Sequence, residues 1–203
     1  MRKVFCGNSY NGFELSSSEK NNEGFYREIL QAIDSLFNDM LMRHGKVFFS
    51  MFVLKYPAGS ASLYPNDNSL LSRFIEALSL FYKRRKVDLR YLWVREFSST
   101  GQVHYHLILL LNGDLIQNGY GILQRATELW EGCLGIEDGQ GLVHLCTMDA
   151  DYARYGGIKI IRNDPEVQQV QSKCYELASY LAKCYSKGGL PPYLNGFGSS
   201  RLS

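Results

Sequence analysis

No apolar run in this 203-residue chain is longer than a strand needs, and the opening residues MRKVFCGNSYNG lack the long uncharged core of a secretion signal. A membrane-spanning or exported protein is therefore not expected, and the reading is cytoplasmic. The five cysteines (Cys6, Cys133, Cys146, Cys174, Cys184) form no C-x-x-C pair and are odd in number, so reduced core thiols are expected and not a disulfide framework. Charge of one sign is also short. The net charge is +2 and the isoelectric point near 8.2, below the value of about 9 that marks many nucleic-acid-binding domains.

What is present fits one α+β domain. With 45% hydrophobic and 21% charged residues the chain can bury a core without metal or disulfide staples. Basic residues cluster locally: Lys83-Arg84-Arg85-Lys86 form a block, Lys159 and Arg162 flank an isoleucine-rich patch, and Lys183 and Lys187 are expected on one helix. Each is either a local phosphate footprint or a solvated face.

Residues 1 to about 22 are polar and rich in serine and asparagine, which predicts a flexible N-terminal arm before a single domain over 23–203. Phe25, Ile29, Ile33, Leu36, Phe37, Met40 and Leu41 recur at helical spacing and predict a helix ending near His44-Gly45. Lys46 to Tyr56 reads as a strand. Asn66, Asp67 and Asn68 offer N-caps to a helix buried through Leu71, Phe74, Ile75, Leu78 and Tyr82. Leu89–Phe97 and Val103–Leu111 read as a β-hairpin around Ser98–Gln102. A helix through Trp130 and a strand over Leu142–Met148 follow. The order β-α-β-β-α-β predicts a ferredoxin-like (RRM-like) palm, an antiparallel sheet with two helices on one face and the other face left for a ligand or further helices. Asp149 to Asp164 reads as irregular, Pro165 opens a last helix running to about Lys187, and the tail from Gly188 reads as irregular.

Histidine is scarce, four in all, yet two of them stand as His104-Tyr105-His106 inside the apolar run Val103 to Leu111. Successive strand residues point to opposite faces, so both imidazoles share one face, the geometry of two metal ligands. Pairing around the hairpin turn puts Glu96 opposite His104 or one residue off it. In the aligned register the carboxylate joins both imidazoles, leaving open positions that suit Mn²⁺ or Mg²⁺, with zinc an alternative. The other reading of Glu96 is an ion pair with Arg95 or Arg90. On the last helix, the wheel places Tyr185 in the buried stripe and Tyr180 at its edge, with Lys183 and Lys187 on the flank of Tyr180. An ammonium there would favour phenolate and could hold a phosphate, as a tyrosine nucleophile needs. His144 is a candidate further ligand or a satisfied core histidine.

Together these residues resemble the HUH single-strand endonucleases, which have a ferredoxin-like palm, a metal-binding His-hydrophobic-His strand and a nucleophilic tyrosine on a following helix. Within that class the strings L-W-V-R-E (92–96), H-Y-H-L-I-L-L-L-N-G (104–113), S-Y-L-A-K (179–183) and G-F-G-S-S-R (196–201) look most like the inovirus-type replication proteins and the YagK/YfjJ C-terminal domain family. The resemblance implies that His104, His106 and Glu96 bind a divalent ion, that Tyr180 is the nucleophile with Lys183 its helper, and that the product is a 5′-phosphotyrosyl link priming rolling-circle replication of a phage or related element. It also implies single-stranded or hairpin origin DNA as partner. With no P-loop in the chain, a helicase and polymerase would come from the host. Initiators with two working tyrosines resemble Y-x-x-K-Y. Here Cys184 follows Lys183, so one working tyrosine is expected, with Tyr185 in reserve. The alternatives are an HUH transposase or plasmid relaxase, a phosphodiesterase using activated water, and an RRM-like nucleic-acid-binding module without catalysis.

Overall fold

Lys46–Lys55 (KVFFSMFVLK) is so rich in aromatic and β-branched residues, and so nearly buried throughout, that it can only be a central strand covered on both faces. The computed structural model describes residues 3–16, 24–60, 63–139, 141–146, 150–185, 187 and 193–202. In chain order the elements are β1 (Val4–Phe5), β2 (Ser9–Tyr10), β3 (Phe13–Glu14), β4 (Phe25–Tyr26), α1 (Arg27–Arg43), β5 (Lys46–Lys55), α2 (Ser69–Arg84), β6 (Leu89–Phe97), β7 (Val103–Asn112), α3 (Tyr120–Leu134), β8 (Val143–Leu145), α4 (Ala150–Tyr155), β9 (Ile158–Ile161), α5 (Val167–Ser179) and β10 (Phe197–Ser199). A 3₁₀ turn over Tyr180–Ala182 follows α5.

The main sheet is antiparallel with the order β10-β6-β7-β5. The far edge of β5 is shared, β9 pairing along Lys46–Phe49 and β8 along Phe52–Leu54. Strands β5, β6, β7 and β8 with α2 and α3 are the expected β-α-β-β-α-β unit, and the fold is α+β as predicted. Alternation along the strands splits the core in two. Phe48, Phe52, Leu54, Tyr105 and Leu107 pack with Phe74, Leu78 and Trp130 of α2 and α3. Phe49, Met51, Val94 and Ile108 pack on the other face with Ile33 and Phe37 of α1 and Cys174 and Tyr175 of α5. Each fully buried large side chain among these contributes about 2–3 kcal/mol relative to exposure.

Five expectations need correction. The N-terminal arm divides: 17–23 lie outside the described residues, whereas 3–16 pack onto the domain. Strand β1 pairs with β4, β2 with β3, Leu15 is buried and Phe13 stacks on Tyr175 at 4.8 Å. The polar composition hid a few aromatic anchors. The stretch 149–164 is not wholly irregular, because α4 and β9 lie within it, with Ile160 buried. Within the tail, Phe197–Ser199 pairs with β6, where Gly198 lies so close to Trp93 that a Cβ would meet the indole at 2.8 Å. The last helix ends at Ser179 and not near Lys187, for a reason local to the site described next. The strand expected over Leu142–Met148 is observed as Val143–Leu145, and residues 147 and 148 lie outside the described residues.

Candidate metal and nucleophile site

The β6–β7 hairpin sets the site. Its register pairs Glu96 with His104, Arg95 with Tyr105 and Val94 with His106, the aligned case of the two foreseen. All three candidate ligands therefore point to the face covered by α1 and α5. The Nε2 atoms of His104 and His106 lie 3.8 and 3.6 Å from Oε2 of Glu96, too far for hydrogen bonds. Their ligand atoms all lie within 4.8 Å of one another, and no other such group occurs among the described residues. Donor atoms held at about 2.1 Å from one ion at right or tetrahedral angles stand roughly 3.0–3.5 Å apart, so a small contraction closes the cluster on a divalent cation.

The protonation states suit a ligand role. Burial lowers both imidazoles below the usual histidine value, against the opposing pull of Glu96, and pushes His106 down to about 4. A neutral imidazole keeps a lone pair for a metal. The Nδ1 atom of His106 is buried and finds no hydrogen-bond partner among the described residues.

Neither arginine weighed as a partner of Glu96 pairs with it. Arg90 pairs with Asp39 and Asp88. Arg95 lies on the opposite face, donating to Asp67 O, Asn68 Oδ1, Tyr105 Oη and Asn66 Oδ1. Thus the side chains of Asn66 and Asn68, two of the three residues offered as N-caps for α2, serve Arg95, and the Asp67 carboxylate accepts from the backbone at Ser69 N. The carboxylate of Glu96 instead meets Lys187, whose Nζ is 2.7 Å from Oε1. Sequence reasoning placed Lys187 beside Tyr180 by helical spacing. The lysine reaches the site beyond the end of that helix, and its bond to Glu96 was not foreseen.

Tyr180 begins the 3₁₀ turn, with its ring centroid 5.9 Å from that of His106. Helix α5 stops where the N-terminal segments dock on the chain that follows it: Ser16 N donates to the side-chain Oγ of Ser179 at 2.8 Å, Cys184 N donates to Gly24 O at 3.0 Å, and Lys183 bridges to Phe25 of β4. With the helix ended, the wheel no longer governs Tyr185, which is not a core residue. It is partly exposed and its hydroxyl shares a 2.9 Å hydrogen bond with that of Tyr180. Lys183 is buried, its Nζ 4.8 Å from the centroid of the Tyr180 ring, over the ring and not on the hydroxyl. The Tyr180 phenol is raised above its ordinary value, first by burial, then by Tyr185 and the carboxylate of Glu96. The expected lowering toward phenolate is therefore not observed, the shift running the other way. A cavity of about 230 Å³ adjoins the site, lined by Met51, His106, Cys146, Leu177 and Tyr180. His144 pairs with Val53 on the same row of the sheet as His106 and stays outside the ligand cluster. Among the described residues no helix is long and apolar enough to cross a membrane.

Against known proteins, the chain is 28% identical over 143 residues to the uncharacterised protein YfjJ of Escherichia coli K12, a match spanning 60% of this chain and 66% of that protein. A solved structure, the N-terminal nuclease domain of the non-structural protein 1 of minute virus of mice, aligns over 61% of this chain and 73% of its own at 14% identity and a TM-score of 0.37. The family match is far broader, running over residues 9–200 and taking in the hairpin, both histidines, Tyr180 and the strand β10. The chain belongs to the YagK/YfjJ C-terminal domain family.

Proposed function

We propose that this protein nicks and rejoins single-stranded DNA through a covalent tyrosine link, as an HUH-type endonuclease that initiates rolling-circle replication of a mobile element. One observation carries the reading: two imidazoles and a carboxylate converge on a point beside which a tyrosine ring is held. Glu96, His104 and His106 would hold the ion, Mn²⁺ or Mg²⁺. When bound there, a divalent cation supplies Lewis-acid polarisation of a non-bridging phosphate oxygen.

The other roles fall to the chain itself. Oη of Tyr180 attacks the scissile phosphorus, the bond from phosphorus to the 3′ oxygen breaks, and the phenol proton is balanced by the proton gained at the 3′-hydroxyl. The 5′ end stays on Tyr180, and reversal rejoins the strand without ATP. Lys183 fixes the ring from its face, and Lys187 pairs with Glu96. The partner is single-stranded DNA or an extruded hairpin, because a phosphate inside a duplex would not reach the cluster. Helicase and polymerase would come from the host. An RRM-like binding role fits less well, since helices cover both sheet faces.

The hydroxyl bond between Tyr180 and Tyr185 favours one second reading, in which Tyr185 is the attacking residue. The test is incubation with a library of single-stranded oligonucleotides and Mn²⁺, read as a covalent protein–DNA band on a denaturing gel. The band is expected with wild type and Tyr185→Phe, and absent with Tyr180→Phe and with His106→Ala. Loss in Tyr185→Phe alone moves the nucleophile. Cleavage without any covalent band replaces tyrosine by water and overturns the covalent mechanism.

A further inference from the structure

We propose that Lys187 is an internal competitor for Glu96, an ammonium placed so that it and a divalent cation share one carboxylate. The inference rests on the metal-site reading above, not on the nicking reaction. The carboxylate is divided between two tasks: Oε1 is 2.7 Å from Lys187 Nζ, while Oε2 faces the imidazoles at 3.6 and 3.8 Å. Both partners are buried, with side-chain exposures of 1% for Lys187 and 4% for Glu96. The lysine lies beyond α5 and its 3₁₀ turn, so helical periodicity does not account for its arrival.

Charge gives the arrangement its consequence. Neutral imidazoles, one carboxylate and one ammonium sum to zero, and a divalent cation brings the cluster to +2 at a depth where salt screens little. Repulsion between the ammonium and the cation loosens the ion and keeps the site electropositive toward an anionic ligand such as a phosphodiester. Neutralising Lys187 removes a like charge, and Lys187→Met also releases Oε1 as a second ligand atom; each effect tightens the ion. A lysine that merely braced Glu96 would act in the opposite sense, because its loss would let the carboxylate swing and weaken the ion.

The experiment is calorimetric titration of Mn²⁺ into the full chain, as wild type, Lys187→Met, Lys187→Gln and Lys187→Arg, followed by titration of inorganic phosphate into the Mn²⁺-loaded proteins. Both neutral variants should bind Mn²⁺ at least about tenfold more tightly and phosphate more weakly, with Lys187→Arg within about twofold of wild type. Equal or weaker Mn²⁺ binding by the neutral variants overturns the proposal. Circular dichroism establishes folding. Should Lys187→Met fail to fold, Lys187→Gln, which keeps a donor for Oε1 without the charge, decides alone. Absence of Mn²⁺ binding by wild type would instead overturn the metal-site reading, a result distinct from equal binding by all four.

Discussion

Arg95 stands next to Glu96 in sequence and on the far face of the sheet, 1% exposed and bonded to oxygens of Asn66, Asp67, Asn68 and Tyr105. It ties the segment before α2 to the hairpin that carries Glu96, His104 and His106. Arg95→Met should cost about 3 kcal/mol, measured by urea unfolding, because the oxygens it satisfies lose a charged donor in a poorly solvated place. Cys146 lines the cavity beside His106 and Tyr180, and burial pushes its thiol up to about 12. At pH 8 it should therefore be almost wholly protonated and resist iodoacetamide, whereas the exposed Cys6 should alkylate readily, as peptide mass spectrometry would register. At this scale the convergence of Glu96, His104 and His106 was legible in advance, because a two-residue period on a strand leaves little choice of face. Lys187 was legible only as a residue near Tyr180, since its contact depends on where a helix stops.

Among the elements, the start of α3 and the end of α4 meet backbone to backbone. A Cβ on Gly119 would lie 2.0 Å from the carbonyl oxygen of Gly156, and Gly119 N donates to Tyr155 O at 2.7 Å. Gly119→Ala should therefore lower stability by about 2 kcal/mol or more, read as a fall in melting temperature, while Gly121→Ala, with open space around it, should not. The strands and helices of the palm were readable because each runs for nine residues or more with clear periodicity, apart from the three-residue β8. Strands β9 and β10 and helix α4 were not, because segments of three to six residues carry too little pattern and are held by the edges they join. The end of α5 was missed for a related reason: nothing in residues 179–185 forbids helix, and the end falls where Ser16, Gly24 and Phe25 dock on that stretch.

For the whole molecule, the His106 imidazole ties stability to acidity. Its folded value near 4 lies below the 6.5 of an unfolded histidine, so between those values the unfolded chain binds more protons. The contribution is complete above pH 6.5 and lost as pH falls toward 4. Denaturation midpoints of metal-free protein should decline across that window, and His106→Gln should flatten the decline. The layering was anticipated only in part. A sheet with two helices on one face was foreseen, with the other face left for a ligand or further helices; α1 and α5 take the second course and leave the imidazoles at a mouth instead of an open platform.

The bond from Ser16 to Ser179 joins positions 163 apart, while the cluster of Glu96, His104 and His106 is complete within one hairpin. The two halves of the site are thus finished at different moments of synthesis. A chain still emerging from the ribosome can bring Glu96, His104 and His106 together well before the segment bearing Tyr180 is made and clasped. On the reading proposed above, such a half-made protein could gather metal yet could not join itself to a genome, and the reactive hydroxyl is armed only when the earliest and latest parts of the fold have found each other.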